Sequence, residues 1–420
     1  MYVNDWVALS LSQAGLNWCV NYHQLIHGAA LAEAMIKQGI NLIGHAYADI
    51  GLGEDLRMVA RSLLASNIPF EVVNITLEND LRYSNSFLNN YEISFDQAHY
   101  KTSLFCMTPD RMEACLVGKN DSFFKDNYLI AAWPWEFTHW PTEMVHYFSM
   151  VNELWANSKH IERSLSASKY HVKPPIYLMP AATEVPLQSM FESKKAARSF
   201  FGIPEGAFVM ICQFDVLSNI HRKNPQGAVA AFRKAFDAPQ YSNRDVYLIL
   251  KTHKITSFCG PWEHLKLAVA NDSRFMIIEK TYTNDQVIEL LRCCDGLLSL
   301  HRAEGYGRVI SESMILGLGV IATNYSGNTD YMQGDNVYPV TYELKAADKL
   351  AKLINPENQF WAEPDIDNAA FLIRQFYQKY CEEIRQNIFP SINVEIQEVL
   401  SAGLAGKRYA QRLNQLWEKD

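Results

Sequence analysis

Two α/β domains, each built around a parallel sheet, are predicted from the 420-residue sequence. Apolar runs of strand length alternate with segments whose apolar residues recur at helical spacing, which is the pattern of β-α-β units. The length fits two domains, and a hydrophobic content of 48% is enough for two sizeable cores. In such open sheets, ligands are expected at the carboxyl ends of the strands.

The first domain is expected over residues 39–188. A helix-like prelude at residues 1–38 precedes it, and we assign no chemistry to that segment. Strands are predicted at Ile40–Tyr47 and Phe70–Ile75. Between them we expect a glycine-rich loop at Gly51–Asp55 and then an amphipathic helix. Further strand-like runs, YLIAAWPW and PIYLMP, continue the alternation.

The second domain is expected over residues 189–400, after a linker near residues 183–195. A polar, helix-prone segment opens it, and the strand Phe208–Phe214 follows. Later strand-like runs read VYLILKTH, FMIIEK, GLLSLH and VIAT, with helical stretches between them. Residues 365–420 are helical in pattern. The chain is thus predicted to form two similar sheets in series.

Composition excludes some classes of protein and favours a reducing compartment. The net charge of −8 argues against nucleic-acid binding, which needs a basic surface. Eight cysteines include no C-x-x-C pair, so we expect no zinc site and read them as reduced thiols. The N-terminus lacks the basic region of a signal peptide, and polar residues interrupt its apolar stretch. A cytoplasmic location is therefore expected.

The stretch SLHRAEGYGRVISE joins a predicted strand to a predicted helix that starts near Arg308. A helix N-terminus presents unpaired N–H groups, and Gly305 and Gly307 allow a ligand to approach the backbone closely. Together they predict a phosphate-binding site. Glu304 and Glu312 would lie roughly 12 Å apart if the span were helical, about the reach from a ribose to a sugar beyond its diphosphate.

Carboxylates bind hydroxyl pairs well, so one glutamate is a candidate for ribose hydroxyls and the other for sugar hydroxyls. An alternative stays open from these residues alone, a surface glutamate followed by an ordinary acid of the helix. A second feature favours the ligand interpretation. Arg222 and Lys223 stand in a loop before the helix start Asn224-Pro225, where two cations suit a diphosphate. A solvated basic loop is the competing interpretation.

These residues resemble family 4 of the retaining glycosyltransferases, which adopt the GT-B fold. The family carries two glutamates separated by seven residues, here Glu304 and Glu312, and the resemblance around them extends over more than thirty residues. FDVLSNIHRKNP is similar to its phosphate loop, and GHAYADIGLGEDLR to the glycine-rich loop of its first domain. AAWPWEF, VNELWANSKHIERSL and WAEPDIDNAA resemble a branch that works on bacterial polysaccharides. The resemblance covers roughly residues 40 to 415.

The resemblance implies two Rossmann-like domains facing a cleft, with a C-terminal helix, residues 401–420, packing back on the first domain. It implies that Lys223 and Arg222 neutralise the donor diphosphate, Glu304 holds the donor sugar and Glu312 the ribose. Further donor contacts are expected from Gly305, Tyr306, Gly307, Arg308, His301 and Thr281. Retention of the anomeric configuration is implied, with no metal and no cofactor.

The acceptor is expected on the first domain, facing Gly51, Gly53, His45, Trp133 and Glu136. Many members carry a histidine near the position of Glu136, which is a candidate for positioning the sugar or the acceptor. A structural carboxylate that bonds backbone amides is the alternative.

Two further positions depart from, or imitate, known patterns. Many members have an arginine five residues before the lysine, where this chain has Ser218, and whether Arg222 substitutes for it stays open. Asp365-Ile-Asp367 imitates a metal-binding D-x-D triplet, but a capping aspartate is the better interpretation because a helical pattern follows.

The implied reaction moves a hexose from GDP-mannose or a UDP-sugar to a glycan or lipid-linked acceptor in bacterial surface polysaccharide or lipopolysaccharide synthesis. Peripheral contact with the inner face of the cytoplasmic membrane is an expectation from the resemblance. A GT-B epimerase or phosphorylase and a non-catalytic sugar-nucleotide scaffold are the competing hypotheses. Sugar, base, acceptor, linkage and oligomeric state are not readable from the residues.

Overall fold

A computed structural model describes residues 38–76, 85–119, 121–168, 173–241, 245–255, 258–351, 353, 357–386 and 391–418. The predicted helical prelude, apart from residue 38, lies outside the described residues. The rest forms two six-stranded parallel sheets, each covered by helices, and one antiparallel hairpin. The predicted fold class is confirmed.

The first sheet has the strand order β2-β1-β3-β4-β5-β6, with every pairing parallel. Its strands are β1 Ile40–Gly44, β2 Phe70–Asn74, β3 Thr102–Cys106, β4 Tyr128–Ala131, β5 Glu153–Ala156 and β6 Ile176–Leu178. Its helices are α1 Gly51–Ala65, α2 Pro109–Leu116, α3 Asp121–Asp126 and α4 Lys159–Ser166. Short 3₁₀ helices lie at Asn89–Tyr91, Phe95–Gln97 and Thr142–Met150.

The second sheet has the order β12-β11-β10-β7-β8-β9, again parallel throughout. Its strands are β7 Phe208–Gln213, β8 Val246–Thr252, β9 Phe275–Glu279, β10 Gly296–Ser299, β11 Gly319–Thr323 and β12 Val337–Val340. Its helices are α5 Lys194–Phe201, α6 Ile220–Lys223, α7 Pro225–Phe236, α8 Gly260–Val269, α9 Asn284–Cys293 and α10 Arg308–Ile315. The 3₁₀ helices here are Val216–Ser218, Pro239–Tyr241, Gly327–Asp330 and Lys349–Ala351.

The hairpin and three helices complete the chain. The hairpin pairs β13 Tyr342–Ala346 with β14 Phe360–Pro364. The helices are α11 Ile366–Arg385, α12 Val394–Val399 and α13 Ala402–Trp417. Asp365 caps α11 by accepting bonds from the N–H groups of Asp367 and Asn368, which confirms the interpretation of the D-x-D triplet as a cap.

The segment Gly51–Asp55, predicted as a loop, is the first turn of α1. The glycines in this segment led us to predict a loop. Gly53 is required for close packing, however, and not for backbone flexibility. A Cβ at Gly53 would lie 2.2 Å from the carbonyl oxygen of Ala48 and 2.8 Å from that of His45. The helix start therefore presses directly on the loop that follows β1.

Two crossings connect the domains. Residues 179–193 form a linker without helix or strand between β6 and α5, and the chain returns at residues 400–401 to α13. Helix α13 packs against α1, where Gly406 allows close approach, since a Cβ there would lie 2.1 Å from the Ser62 carbonyl oxygen. The apolar face of α13 packs into the hydrophobic core of the first domain, where Tyr409 and Leu413 are buried against α1 and the first sheet. The C-terminal helix thus belongs structurally to the first domain.

The aromatic segment after β4 forms a core that both domains share. Trp140 packs against Trp133 and Trp135 at ring-centroid distances of 5.3 and 5.4 Å. The same cluster includes Ala303 and Trp361 of the second domain. The two domains therefore meet through buried apolar surface as well as across the cleft described next.

Candidate functional site

The loop between β10 and α10 is held rigidly from one side. Glu304 donates its N–H to Ser326 Oγ at 2.8 Å, and its carbonyl accepts from the Gly327 N–H at 2.9 Å. Gly307, the N-cap of α10, has a φ of +89°, a conformation that favours glycine. A Cβ on Gly327 would lie 1.9 Å from the Gly305 carbonyl oxygen, so this neighbour must also be glycine.

The Glu304 carboxylate binds both predicted cations. Lys223 Nζ lies 2.5 Å from Glu304 Oε1, and Arg222 Nη1 lies 3.4 Å from Oε2. Burial alone would favour the neutral acid, but Lys223 and Arg222 outweigh it and hold the pKa of Glu304 at about 2. The carboxylate is ionised at physiological pH and is ready to accept hydrogen bonds from hydroxyl groups.

Arg222 joins the two domains. Its guanidinium is buried, and it donates to the carbonyl oxygens of Ala303 at 2.8 Å and Ser218 at 3.1 Å. Its Nη2 also lies 3.2 Å from Oε1 of Glu136, which belongs to the first domain. Arg222 therefore sits between Glu136 and Glu304, so the two candidate carboxylates share one cation across the cleft.

The second turn of α10 carries the second predicted glutamate. Burial, opposed by Arg308 and reinforced by the nearby Glu54, raises the pKa of Glu312 to about 8. Arg308 forms an ion pair with Asp55 of α1 and donates to the Ala182 carbonyl at 3.3 Å. Glu312 thus holds a proton more tightly than an ordinary glutamate.

The two sheets face a common cleft of about 710 Å³. Most of the predicted residues line it. These are Gly51, Glu136, Arg222, Lys223, Glu304, Gly305, Tyr306, Gly307, Arg308 and Glu312. They come from the carboxyl ends of strands and the starts of helices in both domains, where such folds bind ligands.

Five predicted residues lie elsewhere. His301 is fully buried behind the loop, where its ring contacts Ser299 Oγ, the Tyr325 carbonyl and Asn328 Oδ1. Thr281 Oγ1 accepts a bond from the Lys254 N–H at 3.2 Å. Both residues are next to the cleft wall rather than part of it.

The remaining three, all in the first domain, are also packed beneath the cleft. His45 is fully buried, with Nδ1 2.6 Å from the Ile75 carbonyl oxygen, and burial lowers its pKa. Trp133 stacks on Trp140 in the shared aromatic core, and Gly53, in the first turn of α1, packs against the loop that follows β1.

The sequence reasoning missed several residues of the cleft wall. Lys251 and Asp55 line it, although neither was named as a site residue. One signal was present, because Lys251 ends the apolar run VYLILK at a strand's carboxyl end. Asp55 offered only its place in the glycine-rich segment, since its partner Arg308 is 253 residues away.

Thr183 ties the linker to the candidate site. Its hydroxyl lies 3.0 Å from the Tyr306 hydroxyl and 2.8 Å from Ser311 Oγ, so it contacts both the loop and α10. Its N–H donates to the Leu400 carbonyl at 2.8 Å. The two chain crossings are therefore bonded to each other beside the loop.

Among the residues that the structure describes, no group of three His, Cys, Asp or Glu side chains is arranged as metal ligands. Within the same residues, no helix is both long and apolar enough to cross a bilayer.

No family model and no curated protein matches the sequence. Solved structures do match the fold. Sucrose-phosphate synthase from Thermosynechococcus elongatus is 12% identical, with a TM-score of 0.60 over 91% of this chain and 100% of its own. Anabaena HepE, solved with UDP-glucose, is 14% identical, with a TM-score of 0.56 over 90% of this chain and 100% of its own. The fold is GT-B.

A third similar structure is the pneumococcal O-GlcNAc transferase GtfA, solved with UDP and GlcNAc. It is 12% identical with a TM-score of 0.50, and the match covers 75% of this chain but only 56% of GtfA. At these identities the likeness concerns the fold alone.

Proposed function

We propose that this protein is a retaining, metal-independent glycosyltransferase similar to family 4. It moves a hexose from a nucleotide-diphosphate sugar, GDP-mannose or a UDP-sugar, to a glycan or lipid-linked acceptor. The observation that carries the proposal is the cluster of Glu304, Lys223 and Arg222 beside the N-terminus of α10, facing the other domain across the cleft. Structures of the same fold that were solved with UDP or UDP-glucose support it.

In this proposal the donor diphosphate lies between Lys223 and the start of α10. The N–H groups of the first turn of α10 and of the preceding loop, Gly305–Gly307, donate to the phosphate oxygens, because they have no partners within the helix. Lys223 and Arg222 add two positive charges where negative charge accumulates as the sugar departs. The cations are already positioned by Glu304, so little reorganisation is needed when the donor binds.

The reaction breaks the bond from the anomeric carbon to the phosphate oxygen and forms one to the acceptor oxygen on the same face. The departing phosphate takes the proton of the acceptor hydroxyl. Glu304, ionised and within reach of both cations, accepts hydrogen bonds from the hydroxyls of the transferred sugar. This ordering holds the sugar while its ring gains positive charge in the transition state.

Glu312 and Glu136 have separate roles. Glu312 binds the ribose hydroxyls from the first helical turns of α10. Glu136, at the edge of the first domain, orients the acceptor or the sugar and forms an ion pair with Arg222. The acceptor lies on the first-domain wall near Gly51.

The Lys223→Met variant tests this assignment. The control is Lys407→Met, which changes an exposed lysine on α13. Thermal shift and calorimetry with GDP, UDP and ADP should show selective binding by the wild type and the Lys407 variant. Lys223→Met should weaken nucleotide binding at least tenfold, since a charge-assisted hydrogen bond contributes about 1.5–3 kcal/mol. Absence of any nucleotide binding by folded wild-type protein would remove the proposal. Tight binding without release of nucleotide on any acceptor would support the scaffold hypothesis.

The biological setting follows the resemblance alone. We place the enzyme in bacterial surface polysaccharide synthesis, in the cytoplasm and in peripheral contact with the inner membrane face. Fractionation of cells that express the full chain would test the membrane contact. Recovery of the protein in the wash of salt-treated membranes is the expected result.

A further inference from the structure

Two polar side chains lie near the carboxyl ends of adjacent strands on the second-domain wall of the cleft. Gln213 is the last residue of β7, and its register partner on β8 is Lys251. Paired positions on neighbouring parallel strands lie about 4.8 Å apart and face the same side of the sheet. Both residues line the cleft, so a hydrogen-bond donor and an acceptor stand side by side in it.

Lys251 is an unusual residue for this place, because its side chain is only 2% exposed. Burying an ammonium group costs free energy unless polar or aromatic groups compensate. Its Nζ donates to the Thr252 carbonyl at 2.9 Å and lies 5.4 Å from the ring centroid of Tyr282. These contacts hold the ammonium at the cleft wall, where it offers hydrogen-bond donors and no acceptor.

Gln213 supplies the complementary group. Its Oε1 is buried and has no hydrogen-bond partner among the described residues. An unmatched buried acceptor destabilises the folded protein. A ligand N–H placed beside Lys251 would satisfy it.

The surrounding wall suits a flat ring. Tyr282, Asn284 and Val287 line this part of the cleft from the loop after β9 and from α9. Val309 contributes from α10, three residues before Glu312 and hence on the same helical face. The pair on β7 and β8 therefore shares the cleft with Glu312, which we assign to the ribose, but lies on different elements from the phosphate-binding loop.

Resting on the proposed function, we propose that Lys251 and Gln213 read the edge of the donor's nucleobase. Lys251 donates to a carbonyl oxygen of the base, and Gln213 Oε1 accepts the adjacent ring N–H. Uracil and guanine both present that pairing of carbonyl and N–H. Adenine has no carbonyl oxygen, and its exocyclic amine would meet the ammonium group. The donor is thus a uridine or guanosine diphosphate sugar, selected over an adenosine one by this pair.

Titration calorimetry of the full chain with UDP, GDP and ADP tests the proposal. Wild-type protein should bind UDP or GDP at least tenfold more tightly than ADP. Lys251→Met keeps the length of the side chain but removes its charge. It should weaken the preferred nucleotide about ten- to hundredfold, as expected for a charge-assisted hydrogen bond, and change ADP affinity less than threefold. Lys223→Met is the matched comparison, because loss of a phosphate contact should weaken all three nucleotides alike.

Gln213→Leu provides a second test that leaves Lys251 in place. It should also lower the preference for the carbonyl-bearing base, by about three- to tenfold. Equal weakening of all three nucleotides by Lys251→Met would assign it to the phosphates or the ribose and overturn the proposal. A wild-type preference for ADP would also overturn it. Failure of the wild type to bind any nucleotide would instead remove the proposed function, so the two failures are distinct.

Discussion

Removal of the Arg412 guanidinium should detach α13 from the first domain. Arg412 Nη2 lies 2.5 Å and Nε 3.1 Å from Oε2 of Glu153, a residue of β5 that is completely buried. Tyr128 and Trp155 also donate to this carboxylate, at 3.0 and 2.6 Å, but they carry no charge. Arg412→Met therefore leaves a buried carboxylate without its cation, which costs about 3–5 kcal/mol.

Urea unfolding followed by tryptophan fluorescence measures this loss. With a slope of about 2 kcal/mol per molar urea, the transition of the first domain should shift down by about 2 M. A two-domain chain need not unfold in one step, so the domain's own transition must be resolved. Arg408→Met, on an exposed position of the same helix, is the control and should unfold like the wild type.

A second variant separates charge from packing. Arg412→Met combined with Glu153→Gln has no buried charge, and it should recover part of the lost stability because neutral buried groups cost less than an unpaired ion. If Arg412→Met alone stays within about 1 kcal/mol of the wild type, the ion pair does not hold α13 in place. The reasoning from its burial and geometry would then be refuted.

Three further predictions concern the cleft. Glu304→Ala should abolish sugar transfer and have a smaller effect on nucleotide binding. Glu312→Ala should mainly weaken nucleotide binding. Wild-type kinetics in both variants would contradict the assignment. The folded chain keeps the proton of Glu312 between about pH 4.5 and 8 while the unfolded chain releases it, so this group lowers stability as pH rises through that window. Glu312→Gln should flatten that part of the stability–pH curve measured by urea unfolding, and an unchanged curve would refute the raised pKa. Gly53→Ala should lower the melting temperature, since its Cβ would clash with the Ala48 carbonyl; an unaltered value would show that the loop yields easily.

The parts of the fold that local sequence controls were predictable. The apolar run before Glu304 and the glycines after it correctly indicated a strand, a loop and the start of a helix at Arg308. The same logic failed at Gly51–Asp55, because a glycine required by packing looks like one required by a turn. What decided that position was the distance to the Ala48 carbonyl, which no local pattern reports.

Side-chain direction and long-range partners were the limit for the site. His301 is three residues from Glu304, yet its ring is buried behind the loop. The ion pair of Arg308 with Asp55 and that of Arg222 with Glu136 join residues of different domains, and nothing near either residue in the sequence indicates its partner. Local pattern identified which residue types approach the cleft, but only the fold showed which of them face it.

The placement of α13 has a consequence for how the protein is made. Its apolar face completes the core over α1, yet it leaves the ribosome only after the whole second domain. Until then the apolar surface of α1 that it covers faces solvent, with Glu153 lacking its cation. The first domain therefore matures only after the second domain has been synthesised, and a nascent chain stalled before residue 402 should remain sensitive to protease and dependent on chaperones.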